Sequence, residues 1–187
     1  MRVVGGRFKG RPLAGPRSAA IRPTSDRMRE SLFNILAHGY DLPDGNTRVL
    51  DLFAGTGALG LEAISRGAAS ALFFDTGVEA RGIIRQNIEN LGLTGVARIF
   101  RRDATKPGIA GTIAPFDLVF CDPPYRKGLG EQALEAIGKG GWLNTGALCV
   151  LEEAADAEVV LPEGYDLIER REAGETQLLF LRNRQGG

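Results

Sequence analysis

A chain of 187 residues, 43% apolar and 25% charged with 23 basic and 23 acidic side chains, has an ordinary globular composition and suits one domain with a full core. No apolar run approaches the ~20 residues of a membrane span, and Met1 to Arg7 carries charge without an apolar segment, so neither an anchor nor a secretion signal is expected. The two cysteines, Cys121 and Cys149, lie inside apolar runs with no His/Cys cluster beside them; this predicts buried thiols in a reducing, cytoplasmic setting and no metal site.

Residues 1–24 are rich in Gly, Pro and Arg, and their short apolar pieces (Val3-Val4, Phe8, Leu13) are broken by glycine. The pattern predicts a small hairpin or extended arm, distinct from a domain over 25–187. From Arg2 to Glu30 the bases Arg2, Arg7, Lys9, Arg11, Arg17, Arg22, Arg27 and Arg29 face only Asp26 and Glu30. Such an arm either meets a polyanion, releasing its counterions, or is a solvated surface. Thr24-Ser25-Asp26 offers N-caps, and Met28, Leu32, Ile35 and Leu36 recur at helical spacing, so a helix is expected over 26–37, ended by Gly39 and Pro43.

Strands and helices then alternate. Strands are expected over 48–53, 71–75, 96–101, 116–121 and 147–152, and helices over 58–66, 78–91 and 129–137. That alternation implies a parallel sheet covered on both faces. Residues 165–171 and 176–182 read as an antiparallel hairpin turning at Ala173-Gly174. The Pro/Gly-bearing stretch 103–115 carries no helix signal.

Two segments carry chemistry. In the first, Asp51-Leu52-Phe53-Ala54-Gly55-Thr56-Gly57-Ala58-Leu59-Gly60, the glycines match G-x-G-x-x-G between a strand and a helix. Asp75 follows Gly55 by 20 residues, the spacing of a ribose-binding acid in a dinucleotide site. Asp51, ahead of the glycines, would repel a pyrophosphate and suits a ligand carrying an ammonium and a sulfonium. Asp103 ends a third strand, either to accept from an adenine amino group or as a turn residue.

The second segment is Asp122-Pro123-Pro124-Tyr125-Arg126-Lys127-Gly128, at the end of the fourth strand. Two prolines stop the strand and remove two backbone donors. The segment is either a plain Pro-rich turn or a seat for an exocyclic amine of a nucleobase. In the second case Asp122 and the Pro123 carbonyl accept the amine's N–H bonds, Tyr125 stacks on the base, and Arg126 and Lys127 hold flanking phosphates. His38, the only histidine, reads as a surface residue near a helix end. Trp142 reads as packing, and Glu152 as either structural or supporting.

With these motifs in view the chain resembles the class I, Rossmann-like methyltransferases and, more narrowly, the RsmD family of bacterial 16S rRNA guanine-N2 methyltransferases. The specific part of the likeness is the arm Arg2 to Arg11 and the segment Arg22-Pro23-Thr24 through Asn34. The resemblance implies an α/β fold with a seven-stranded, mostly parallel sheet ending in an antiparallel hairpin. It implies S-adenosylmethionine as cofactor, held by Asp51, Phe53, Gly55, Gly57, Asp75, Asp103 and Asp122. Asp122, Pro123 and Tyr125 would do the catalytic work, and the helix at 26–37 would close over the cofactor. Arg2, Arg7, Lys9, Arg11, Arg22, Arg126 and Lys127 would grip 16S rRNA in the small subunit or its assembly intermediate. A monomer is expected. One departure stands out: relatives often carry two acids, two residues apart, where this chain has Asp75-Thr76-Gly77, with Glu79 as a substitute. The alternatives are an adenine-N6 methyltransferase, a non-catalytic RNA-binding assembly module and, more distantly, a nicotinamide dehydrogenase.

Overall fold

The computed structural model describes residues 1–186. Its strands β1 (Arg48–Leu52), β2 (Ser70–Phe74), β3 (Ala97–Phe100), β4 (Phe116–Cys121), β5 (Leu143–Ala154), β6 (Tyr165–Ala173) and β7 (Thr176–Asn183) form a seven-stranded sheet in the order β3-β2-β1-β4-β5-β7-β6. The chain divides into two compact units, Met1–Arg101 and Arg102–Gly187.

The first unit contains α1 (Asp26–Tyr40), β1 (Arg48–Leu52), α2 (Ala58–Ser65), β2 (Ser70–Phe74), α3 (Val78–Asn90) and β3 (Ala97–Phe100). β1 and β3 flank β2 in parallel register, with Asp51 opposite Phe73 and Phe74 opposite Phe100. Parallel strands buried on both faces need apolar residues at successive positions, and Val49, Leu50, Leu52, Leu72, Phe73 and Phe74 are all buried. α2 is buried along its whole length. Ser25 caps α1, its Oγ accepting from the Met28 N–H at 3.1 Å. The helix runs past its expected end at residue 37 to Tyr40 and takes in Gly39. It stops where Asp41 turns left-handed (φ 53°) and returns its N–H to the Leu36 carbonyl.

Residues 1–13 of the arm form a small hairpin within the first unit. Arg2 bridges Pro12 in antiparallel fashion, the Val3 N–H donates to the Arg11 carbonyl at 2.9 Å, and the Leu13 N–H to the Met1 carbonyl at 2.9 Å.

The second unit contains β4 (Phe116–Cys121), α4 (Leu129–Lys139), β5 (Leu143–Ala154), β6 (Tyr165–Ala173) and β7 (Thr176–Asn183). β4 and β5 are parallel, and β7 is antiparallel to both β5 and β6. β5 begins four residues before its expected start. Asn144 and the left-handed Gly146 (φ 84°) are poor strand formers that mask it, and the β4–β5 register shifts between Phe116 and Leu118 at the same level. The hairpin turn is Gly174-Glu175, one residue later than expected, because Ala173 still pairs with Thr176 and Gly174 takes the left-handed conformation (φ 61°). Residues 102–115 form turns without helix or strand. They are held by the Trp142 indole, which donates to the Gly108 carbonyl at 2.9 Å, and by the Ala110 N–H on the Gly140 carbonyl at 2.8 Å. Trp142 is fully buried and stacks on Phe116 with ring centroids 6.4 Å apart, the packing role its sequence context indicates. Among the described residues no helix is long and apolar enough to cross a membrane.

Candidate active site

In the first unit the glycine loop is stapled by the two acids that precede and follow it. Asp51, 2% exposed, accepts the Gly60 N–H on Oδ2 at 3.0 Å and so ties the end of β1 to the first turn of α2. Asp75 accepts the Gly55 N–H at 2.9 Å on one oxygen and the Gly77 N–H at 2.8 Å on the other. The loop therefore closes onto β2 through its own carboxylate. The chain reverses through three consecutive odd positions with positive φ: Phe53 (53°), Gly55 (59°) and Gly57 (77°). Gly57 caps α2 without a side-chain acceptor, and the first turn of α2 contains no acid. A Cβ on Gly60 would lie 2.5 Å from the Phe73 ring, so that glycine is demanded by close helix–strand packing. Glu79, the substitute acid, instead accepts the Ser18 hydroxyl at 2.6 Å.

The basic arm sits on this unit by backbone hydrogen bonds. Glu62, with a fully buried side chain, accepts the Val4 N–H at 2.9 Å, the Gly5 N–H at 2.8 Å, the Arg29 guanidinium at 3.0 Å and the Arg66 guanidinium at 2.9 Å. Arg29, also buried, adds bonds to the Arg2 and Thr24 carbonyls and to Asp26. Ser65 accepts the Phe8 N–H and donates to the Gly5 carbonyl. Asn87 accepts the Ala14 N–H at 2.7 Å and donates to the Ala14 and Thr56 carbonyls, joining the end of the arm to the glycine loop. None of Arg29, Glu62 and Asn87 was expected at a site. An acid inside the otherwise apolar run Ala58 to Ile64 was the readable signal for Glu62.

The proposed RNA-binding bases fall into two groups. Arg7 and Arg11 flank the Phe8 ring, with guanidinium carbons 4.6 and 6.0 Å from its centroid, and Arg11 also donates to the Asn90 carbonyl. Lys9 at the tip is exposed, as are Arg22 and Lys127. Arg2 lies 3.6 Å from Asp26. Arg126 is held in an exposed ion pair with Asp156 at 2.9 Å, so it reaches a phosphate only by leaving that partner.

In the second unit the Asp122–Tyr125 corner follows directly on β4. Asp122 is half-buried, Pro123 buried, Pro124 exposed and Tyr125 half-buried. The Tyr125 hydroxyl donates to Glu152 Oε1 at 2.7 Å. The next residue, Arg126, has positive φ (63°) and donates its N–H to Glu153 Oε1 at 2.9 Å. Gly128, also left-handed, caps α4. Asp103 is exposed and forms a local turn: Oδ1 accepts the Thr105 hydroxyl at 2.7 Å and the Thr105 N–H at 2.9 Å, and these bonds hold its carboxyl below the usual range. The cysteines offer no nucleophile. Both are buried, and burial pushes the Cys149 thiol up to about 12. His38 is exposed, with Nδ1 2.8 Å from the Asn34 carbonyl of its own helix. No group of acids, histidines or cysteines among the described residues is arranged to hold a metal ion.

Known proteins resemble this chain in sequence and in fold. The family model described as "Conserved hypothetical protein 95" matches residues 1–182. The "Ribosomal RNA small subunit methyltransferase D" of Escherichia coli K12 is 38% identical over 190 aligned residues, covering all of this chain and 92% of the relative. The solved structure titled "Putative methyltransferase yhhF from Escherichia coli" superposes with a TM-score of 0.83 at 32% identity over 98% of each chain. A more distant structure, an RNA methyltransferase from Salinibacter ruber in complex with S-adenosyl-L-homocysteine, shares the fold at 12% identity, with a TM-score of 0.65 over 87% of this chain and 94% of that one. The seven-stranded sheet with its antiparallel C-terminal hairpin is thus the class I methyltransferase fold. By the family match and the full-length identity, the chain belongs to the "Conserved hypothetical protein 95" family, the family of ribosomal RNA small subunit methyltransferase D, or RsmD.

Proposed function

We propose that this chain transfers a methyl group from S-adenosylmethionine to the exocyclic N2 of a guanine in 16S rRNA, acting as a cytoplasmic monomer on the small ribosomal subunit or its assembly intermediate. The observation that carries the reading is the Asp122-Pro123-Pro124-Tyr125 corner at the end of β4, with its aromatic ring tethered by Glu152. The name of the Escherichia coli relative supports the substrate class.

The residues of the first unit fit the cofactor. Asp75 spends one hydrogen bond on each oxygen, and a carboxylate with about four acceptor sites retains capacity for ribose hydroxyls. Asp51 brings negative charge to the loop, suited to an ammonium or sulfonium and adverse to a pyrophosphate. When bound, the cofactor supplies a methyl group already activated by its positive sulfur. The protein's task is then position and electrostatics.

The acceptor needs more help, because the lone pair of an exocyclic amine is delocalised into its ring. Asp122 and the Pro123 carbonyl accept the two N–H bonds, which lets the nitrogen rehybridise and aim its lone pair at the methyl. A nitrogen that took the methyl group would carry a surplus proton, and its hydrogen bond to Asp122 would lead that proton away while the demethylated cofactor departs as the leaving group. Tyr125 holds the base by stacking, a contact worth about 1–3 kcal/mol per base.

The test is incubation with labelled S-adenosylmethionine and small subunits from a strain lacking the modification, followed by nucleoside analysis. N2-methylguanine is expected; N6-methyladenine overturns the assignment. Asp122→Ala should abolish turnover while calorimetry still records cofactor binding, since Asp51, Asp75 and the glycine loop remain. Surviving turnover would refute the mechanism and favour another acceptor residue.

A further inference from the structure

The Asp122–Tyr125 corner has an anchoring problem. Pro123 and Pro124 have no N–H to donate, so the corner cannot be fixed by the backbone bonds that hold most tight turns. Among the donors that follow are the Tyr125 hydroxyl and the Arg126 N–H. Both are accepted by consecutive glutamates of β5: Glu152 Oε1 takes the hydroxyl at 2.7 Å, and Glu153 Oε1 takes the N–H at 2.9 Å. Glu153 is 3% exposed and also accepts its neighbour's N–H, from Ala154, at 2.7 Å. Its bond to Arg126 secures a residue in the left-handed region (φ 63°), a conformation that costs a non-glycine residue energy unless its surroundings impose it. Further along β5 the anchorage is backed by Gln177 of β7, whose amide donates to the Ala154 carbonyl at 2.8 Å and the Ala157 carbonyl at 2.9 Å. The corner and β5 also meet below, where Pro123 and Leu151 both crowd Gly130; a Cβ there would lie 3.3 Å from one and 2.5 Å from the other.

We propose that Glu152 and Glu153 are positioning residues of the methyl-acceptor site: Glu152 fixes the plane of the Tyr125 ring through its hydroxyl, and Glu153 fixes the turn that carries that ring. The inference rests on the reading of the corner as a seat for a target base. On that reading a stacking ring must be in place before the base arrives, because ordering it afterwards would cost binding energy. Tyrosine in place of phenylalanine then has a reason: the hydroxyl is the handle by which the ring is held.

The experiment uses the full chain, with small subunits as substrate. Glu152→Ala and Tyr125→Phe each remove one end of the tether and should lower kcat/KM for the subunit by about tenfold, within the range a slightly misplaced group costs. The double variant should lose no more than either single one, since both break the same bond. Glu152→Gln keeps an acceptor oxygen and should recover most of the loss. Cofactor affinity by calorimetry and the unfolding midpoint should stay near wild type in all three single variants. A readout without substrate comes from labelling the three tyrosines for NMR: the Tyr125 ring signals should shift and sharpen in Glu152→Ala, with Tyr40 and Tyr165 unchanged. Wild-type kcat/KM in Glu152→Ala, or losses that add in the double variant, would overturn the proposal. If the wild-type protein makes no methylated base at all, the functional reading fails instead, and the NMR result still reports on the tether.

Discussion

Glu62 is the residue whose charge is hardest to place and whose removal should be most costly. Its buried carboxylate gathers two guanidinium groups and two backbone N–H groups. Replacing it with alanine strips Arg29, itself fully buried, of its one buried carboxylate and leaves it only the part-exposed Asp26. Breaking a buried pair in this one-sided way typically costs about 3–5 kcal/mol. Urea unfolding of Glu62→Ala should show a loss of that order, and a loss below about 1 kcal/mol, the typical effect of any substitution, would mean that water reaches Arg29. The acids of the glycine loop were legible in the sequence because spacing alone puts Asp51 and Asp75 at strand ends. Arg29 and Asn87 were not, since each looks like an ordinary polar residue of a helix until the arm lies against it, and for Glu62 the acid in an apolar run signals an anomaly but not its partners. Long-range bonds such as those from Ala14 to Asn87, 73 positions apart, leave no local pattern.

At the scale of elements, β1, α2 and β2 form one packed group in which helix and strand approach closely at Gly60. A methyl group there would meet the Phe73 ring at 2.5 and 2.8 Å and Asp51 Oδ2 at 3.3 Å. Phe73 is fully buried and has no room to retreat. Gly60→Ala should therefore destabilise by about 1–3 kcal/mol, the usual cost of overpacking, despite alanine's better helix propensity. It should also weaken cofactor binding by displacing the loop. Calorimetry alongside denaturation checks both; a stabilised variant would refute the packing argument. The element boundaries that the sequence misstates share a cause. Glycine stands inside α1 at residue 39 and inside β5 at residue 146, where it reads as a terminator, yet both elements run through it.

For the whole molecule, net charge is zero, so attraction to a polyanion has to come from how the charge is distributed. The arm's tip carries Arg7, Lys9 and Arg11 around Phe8, a mixture of cations and an aromatic face suited to single-stranded or looped RNA. Affinity for the subunit should fall with salt, and Arg7→Ala and Lys9→Ala should each reduce the slope of log K against log salt by about 0.7–0.9. Unchanged slopes would place the contact elsewhere. Arg126→Ala is the comparison, because Arg126 already has Asp156 as a partner. The alternation of strands and helices made the fold class readable, whereas the arm's posture was not, since a run of Gly, Pro and Arg describes a hairpin but not what it rests on. The arm rests on α2 through main-chain N–H groups of Val4, Gly5, Arg7 and Phe8. Its clasp is therefore indifferent to most of its side chains. Substitutions at the tip change what the arm touches without changing where it sits, so the tip, unlike the buried Val3 and Leu13 or the close-packed Gly6, can drift in sequence, and be re-engineered toward other nucleic acids, at little risk to the fold that carries it.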